Sequence, residues 1–162
     1  MKTKHLFIAL LLGLLIIASA APAQDDDAPD YFRRPLRVQT AADEQPTVAD
    51  FARAFASADQ EGDALFSATR ARIDGRQPKL PQGERFTCLI DRPHGYLRAV
   101  YTTEGNIDPN QTLEVCYWRT DTDHRLVAVC RCSDIGTYIL IFYDYNPATG
   151  LMTPLARPPF ED

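Results

Sequence analysis

The stretch that decides the fold is Thr112-Leu113-Glu114-Val115-Cys116-Tyr117-Trp118-Arg119, then Thr120-Asp121-Thr122-Asp123, then His124-Arg125-Leu126-Val127-Ala128-Val129-Cys130-Arg131-Cys132. Two runs rich in β-branched and aromatic residues flank a short polar segment, which predicts a hairpin turning at 120–123. Successive side chains of a strand point to opposite faces, so Tyr117 and Trp118 are expected on different sides of the sheet.

Alternation continues on both sides of this hairpin. Towards the C-terminus, Thr137 to Tyr145 is the most apolar run, and Asn146-Pro147-Ala148-Thr149-Gly150 turns it into a short strand at Leu151 to Thr153. Towards the N-terminus, Phe86 to Ile90 and Tyr96 to Thr102 read as strands around Pro93-His94-Gly95. The loop Glu104-Gly105-Asn106 and Pro109 end the second of them. Connections this short demand antiparallel neighbours, because a parallel pair needs a long crossover.

Upstream the period becomes helical. Val48, Phe51 and Phe55 share one face, Ala52, Ala54, Ala56 and Ala58 add helix propensity, and Thr47 with Asp50 resembles a capping box. In that box the Thr47 hydroxyl is expected to accept from first-turn N–H groups. Gly62 breaks the run. A second helix is predicted from about Asp63 to Ile73, with Leu65, Phe66, Thr69 and Ile73 inward, before Asp74-Gly75 stops it and 76–84 connects to the strands. Residues 47–160 thus read as one α+β domain, with N-terminal helices packed on one face of a mostly antiparallel β-meander sheet.

Residues 24–46 read as an acidic, proline-containing leader without a core of its own, flexible by default. Within it, Tyr31-Phe32-Arg33-Arg34-Pro35-Leu36 is an amphipathic island suited to docking on the body or on a partner. Residues 1–23 have the grammar of a cleavable signal peptide. Lys2 and Lys4 precede the apolar run Leu6 to Ile17, and small residues follow. That run falls short of the roughly 20 residues a spanning helix needs. Ala18-Ser19-Ala20 and Ala21-Pro22-Ala23 both satisfy the small-x-small rule; cleavage between Ala23 and Gln24 is the favoured frame. No cysteine lies near either cut to carry a lipid anchor, and no later segment approaches a membrane span. The expected product is periplasmic or extracellular.

The full sequence carries a net charge of −5, and removing Lys2 and Lys4 makes the remainder more acidic. An acidic chain argues against general nucleic-acid binding, which needs a basic surface to displace counterions from phosphates.

Asp91-Arg92-Pro93-His94-Gly95-Tyr96-Leu97, Glu114-Val115-Cys116-Tyr117-Trp118-Arg119, His124-Arg125-Leu126-Val127-Ala128-Val129 and Phe142-Tyr143-Asp144-Tyr145 occur in that order. Thr149-Gly150-Leu151-Met152-Thr153-Pro154-Leu155 completes the series. This succession, over about residues 85–155, resembles a group of small exported proteins of unknown function from Gram-negative gut bacteria. The resemblance implies a bacterial envelope setting and an antiparallel α+β fold. It implies no activity and no catalytic residue, and cysteines are not a required part of its pattern.

Cys88, Cys116, Cys130 and Cys132 form an even set in a chain read as exported, which favours a disulfide, with buried free thiols as the alternative. Cys116 is expected opposite about residue 127, leaving Cys130 and Cys132 off register. Those two share one strand face at about 6.6 Å between Cα atoms, so a bond between them would be strained and easily reduced. His94 and His124 fall in turns, and a Cys88–His94 pair is conceivable. His124 is too far along the strand from Cys130 and Cys132 to share a metal ion with them. Loop acids such as Asp121, Asp123 and Asp134 lack the spacing of a calcium loop. No catalytic, cofactor or metal constellation assembles, and none is expected.

Strand aromatics stand out instead. Tyr117, Trp118, Tyr143 and Tyr145 are the candidates for a binding surface, because amphipathic rings near solvent suit peptide or sugar recognition. The sequence therefore reads as a non-enzymatic binding or cell-envelope interaction protein, with a protein, peptide or glycan partner outside the cytoplasm. The alternatives are a thiol-dependent redox enzyme using Cys130 and Cys132, or a secreted protease inhibitor suggested by size and compartment alone.

Overall fold

The computed structural model describes residues 32–40, 44–58, 62–105, 110–120, 122–133, 136, 138–157 and 159. The signal peptide expected at 1–23, Tyr31, Asp121 and Asp134 lie outside them. The body is mixed α+β and mostly sheet. Its elements are β1 (Leu36–Arg37), α1 (Val48–Ala58), α2 (Ala64–Ile73), β2 (Arg85–Asp91), β3 (Tyr96–Thr102), β4 (Asn110–Arg119), β5 (Arg125–Cys132), β6 (Tyr138–Asn146) and β7 (Leu151–Pro154).

Both helices start at a side-chain cap, and α2 ends on a backbone closure. At α1 the Thr47 N–H and hydroxyl both donate to the Asp50 carboxylate at 2.8 Å. The hydroxyl thus donates to the carboxylate, where the capping-box expectation had it accepting. Asp63 caps α2 by accepting from the Phe66 N–H at 3.2 Å. At the other end, the Arg76 N–H reaches the Ala71 carbonyl and the Gly75 N–H reaches that of Arg72. This paired closure needs a left-handed residue, which Gly75 supplies at φ 71°.

The strands form one seven-stranded antiparallel sheet in the order β1-β7-β6-β5-β4-β3-β2. From β2 to β7 it is a meander, as the short connections require. β1 is the departure: it adds beside β7, pairing Leu36 with Met152 and Arg37 with Leu151. Phe32, Leu36 and Val38 are buried, and the Tyr143 hydroxyl donates to the Phe32 carbonyl at 3.3 Å. The segment read as a leader without a core therefore belongs, over Phe32–Val38, to the body. Its apolar residues gain burial only when the distant β7 and α1 are in place.

Phe55 is a hub of the core. Its ring meets Phe32 at 4.9 Å, Phe66 at 5.6 Å and Tyr143 at 6.4 Å between centroids. One helical turn earlier, Phe51 packs on Tyr117 at 5.3 Å and on Tyr145 at 5.1 Å. A guanidinium enters the same region: Arg131 lies over the Phe66 ring at 5.3 Å and ion-pairs with the Asp63 carboxylate that caps α2. Sheet and helix start are thereby tied by charge as well as by packing. Among the described residues, no helix is long and apolar enough to cross a membrane.

Candidate binding face

Register assigns every strand residue to one of two faces. Leu97, Leu113, Val115, Val127, Val129, Tyr143, Tyr145 and Met152 share the parity that is buried, here termed inner. The other parity, the outer face, is laid out in cross-strand rows. One row runs Leu89, Arg98, Glu114, Cys130, Leu140 from β2 to β6. A second runs Thr87, Val100, Thr112, Cys132, Tyr138, and a third Asp91, Tyr96, Cys116, Ala128, Phe142. Trp118, Leu126 and Asp144 continue the pattern towards β7.

Among the described residues, the large hydrophobic side chains exposed to solvent all lie on this outer face: Leu89 (59%), Trp118 (48%), Tyr138 (71%) and Leu140 (60%). The centre of the face carries one ion pair, Arg98 Nε to Glu114 Oε1 at 2.9 Å. Beside it, Asn110, Thr112, Cys130, Cys132 and Tyr138 help to line an open depression of about 340 Å³. At the β5 entry, His124 Nδ1 and the Asp144 carboxylate meet at 2.8 Å. The face thus offers apolar contact area around a polar centre.

The aromatic candidates separate by parity. Trp118 is exposed on the outer face. Tyr117 is half-buried against Phe51, and Tyr143 and Tyr145 are buried in the inner core, so neither of these last two presents a ring to a ligand. The reason is the alternation that separates Tyr117 from Trp118: Phe142, not Tyr143, has outer parity. Leu89, Tyr138 and Leu140 were missed as surface candidates. Tyr138-Ile139-Leu140-Ile141-Phe142 is apolar at every position, so its pattern does not reveal which side faces out.

All four cysteines are free thiols. Cys116 pairs in register with Ala128 rather than residue 127, which places it diagonally from Cys130. Diagonal neighbours lie about 7–8 Å apart, beyond the usual disulfide window. Cys88 has inner parity, opposite Ala99, and so stands apart from the other three. Burial pushes the Cys88, Cys116 and Cys130 thiols up, and the negative charge of Glu114 adds to the effect at Cys116 and Cys130. A raised thiol is protonated at neutral pH and a poor nucleophile, which weakens the thiol-enzyme alternative.

The histidines are engaged with acids instead of thiols. His94 Nδ1 meets the Asp91 carboxylate at 2.9 Å in an exposed turn, while Cys88 faces the core, so the conceivable Cys88–His94 pair is not formed. Among the described residues, no three His, Cys, Asp or Glu side chains converge as metal ligands would. No protein-family model matches the chain, and no curated protein or solved structure matches it either.

Proposed function

We propose that α1 and α2 close the inner face of the sheet and that the outer face is the working surface of an exported, non-enzymatic binding domain. One observation carries this reading: among the described residues, the exposed large hydrophobics, contributed by β2, β4 and β6, all fall on one parity. Tyr138 and Leu140 lie together on β6, with Leu89 and Trp118 on the same face, and exposed apolar side chains gathered on one face suit a binding surface. Two of the four exposed residues are aliphatic leucines, which stack poorly on sugar rings and pack well on peptide side chains. The partner is accordingly a polypeptide presenting an apolar stripe, with the Arg98–Glu114 pair setting its alignment. The signal-peptide pattern of residues 1–23 and the resemblance over 85–155 support a bacterial envelope setting.

The test uses protein recovered from an exporting bacterium. N-terminal sequencing should begin at Gln24, in the periplasmic or extracellular fraction. A polypeptide retained from envelope extract is purified and titrated against wild type, Trp118→Ala and Tyr138→Ala. Each substitution should weaken binding roughly tenfold with little change in melting temperature. Wild-type affinity in both variants, and in the Trp118→Ala/Tyr138→Ala double variant, rejects the outer face. Retention of glycans alone replaces the partner class.

A further inference from the structure

The two edges of the sheet differ. At one end β1 is two residues long; at the other β2 runs for seven, Arg85–Asp91. β2 pairs with β3 along its whole length, and among the described residues no strand pairs with its other side. Natural proteins protect long edges with proline, lysine or mid-strand charge, because an open row of backbone N–H and C=O groups accepts another strand. The central residues of β2, Phe86-Thr87-Cys88-Leu89-Ile90, contain no proline and no charge. Leu89 among them is exposed. The charges stand at the two ends and are opposite in sign: Arg85 first, Asp91 last.

We propose that β2 is a self-association edge, through which two copies of this chain join antiparallel about a two-fold axis at Cys88. In this register Arg85 faces the partner's Asp91, Phe86 the partner's Ile90, Thr87 the partner's Leu89, and Cys88 the partner's Cys88. Like parity meets like parity, so the inner and outer faces of both sheets stay continuous. Shifting the axis to Thr87 or Leu89 removes the opposite-charge partner of Asp91 or Arg85 and shortens the pairing. Opposite charges placed directly across a ladder favour pairing and like charges oppose it, so the strand ends select this register. The exposed Leu89 acquires a cross-strand neighbour, which explains why the edge tolerates it. A C2 interface of this kind is self-complementary by construction.

The experiment is a charge swap in protein expressed from the full-length sequence. Wild type should show a concentration-dependent dimer by analytical ultracentrifugation. Arg85→Asp and Asp91→Arg each set like charges against each other at both ends and should weaken the dimer about tenfold. Mixing the two variants restores opposite charges at both ends, and a heterodimer should return. A folding defect in either variant cannot produce that recovery. Separately, a protein with Cys116, Cys130 and Cys132 replaced by serine is treated with diamide, which takes up the two protons and two electrons released as two thiols join. Directly opposed residues sit about 4.5–5.5 Å apart at Cα, within disulfide range, so a Cys88-linked dimer should form. A monomer throughout a dilution series from about 1 mM overturns the proposal. So does a dimer indifferent to both charge variants, or one abolished by Trp118→Ala, which would place self-association on the outer face.

Discussion

Tyr117 and Trp118 are neighbours in β4 with opposite fates: the Tyr117 ring packs on Phe51 at 5.3 Å, and Trp118 stands opposite Leu126 on the outer face, half exposed. One strand therefore serves the core with one residue and a surface with the next. Any substitution on this sheet has to be read by parity first.

That contrast predicts a split in stability. Phe55→Ala, at the meeting point of Phe32, Phe66 and Tyr143, should cost about 3–5 kcal/mol through lost burial and the cavity left behind. Trp118→Ala should stay within about 1 kcal/mol, since its side chain is already half in water. Urea denaturation of both variants, compared at equal m-value, measures the difference.

Asp63 caps α2 and neutralises Arg131, whose Nε is shielded from solvent and makes no hydrogen bond. Asp63→Ala removes the cap and strands the guanidinium, so a loss of about 3–5 kcal/mol is expected. Asp63→Asn keeps a capping oxygen and should lose less. Pairing Asp63→Asn with Arg131→Met should recover stability over the single Asp63→Asn change, because the shielded charge is gone. Thermal melts of the four proteins decide it.

Gly95 turns β2 into β3 at φ 68°, and a Cβ built on it would lie 2.9 Å from the Tyr117 ring. Its carbonyl also accepts from the Tyr117 N–H at 3.1 Å. Gly95→Ala combines a left-handed backbone cost of about 1–2 kcal/mol with displacement of a core ring. A loss above about 2 kcal/mol is expected in chemical denaturation, with an altered near-UV signal from Tyr117.

Burial holds the thiols of Cys116 and Cys130 above the usual value of 9.0, and the nearby Glu114 carboxylate pushes the same way. Alkylation by iodoacetamide should be slow at pH 7 and climb only beyond that value. Glu114→Gln should shift both profiles to lower pH. A fast-reacting thiolate at pH 7 would revive redox chemistry for this face.

Asp74 lies between Arg76 at 2.8 Å and Arg53 at 3.1 Å, and the Arg76 hydrogen bond is the largest cause of its lowered pKa. A carboxylate that titrates lower in the folded state stabilises above its unfolded value. That contribution is lost as pH falls from about 3.8 through the folded value. The group is exposed, so the effect should be below about 1 kcal/mol. Asp74→Asn should flatten this part of an acid-stability curve, measured against wild type in the same buffers.

The secondary structure was legible because its signals are local. Thr47, Asp50, Gly62 and Gly75 punctuate the helices, and the turns at Pro93-His94-Gly95 and Asn146–Gly150 separate alternating runs, so most strand limits fall within one or two residues of expectation. β1 was not legible. Two residues after Pro35 carry no periodic signal, and their pairing depends on Met152 and Leu151, more than a hundred residues away. The register opposite Cys116 was missed by one residue because hairpin-loop geometry, not strand composition, sets it.

The candidate surface divides in the same way. By itself, the sequence determined that Tyr117 and Trp118, or Phe142 and Tyr143, must part company, because the period-two pleat of a strand leaves no alternative. Which member of each pair meets solvent was decided only in the tertiary structure. Pleat alternation is symmetric, and the tertiary structure breaks it: Tyr143 and Tyr145 are buried, and Phe51 and Phe55 meet Tyr117, Tyr143 and Tyr145 ring to ring. Trp118, Tyr138, Leu89 and Leu140 are left on the other parity, in contact with water.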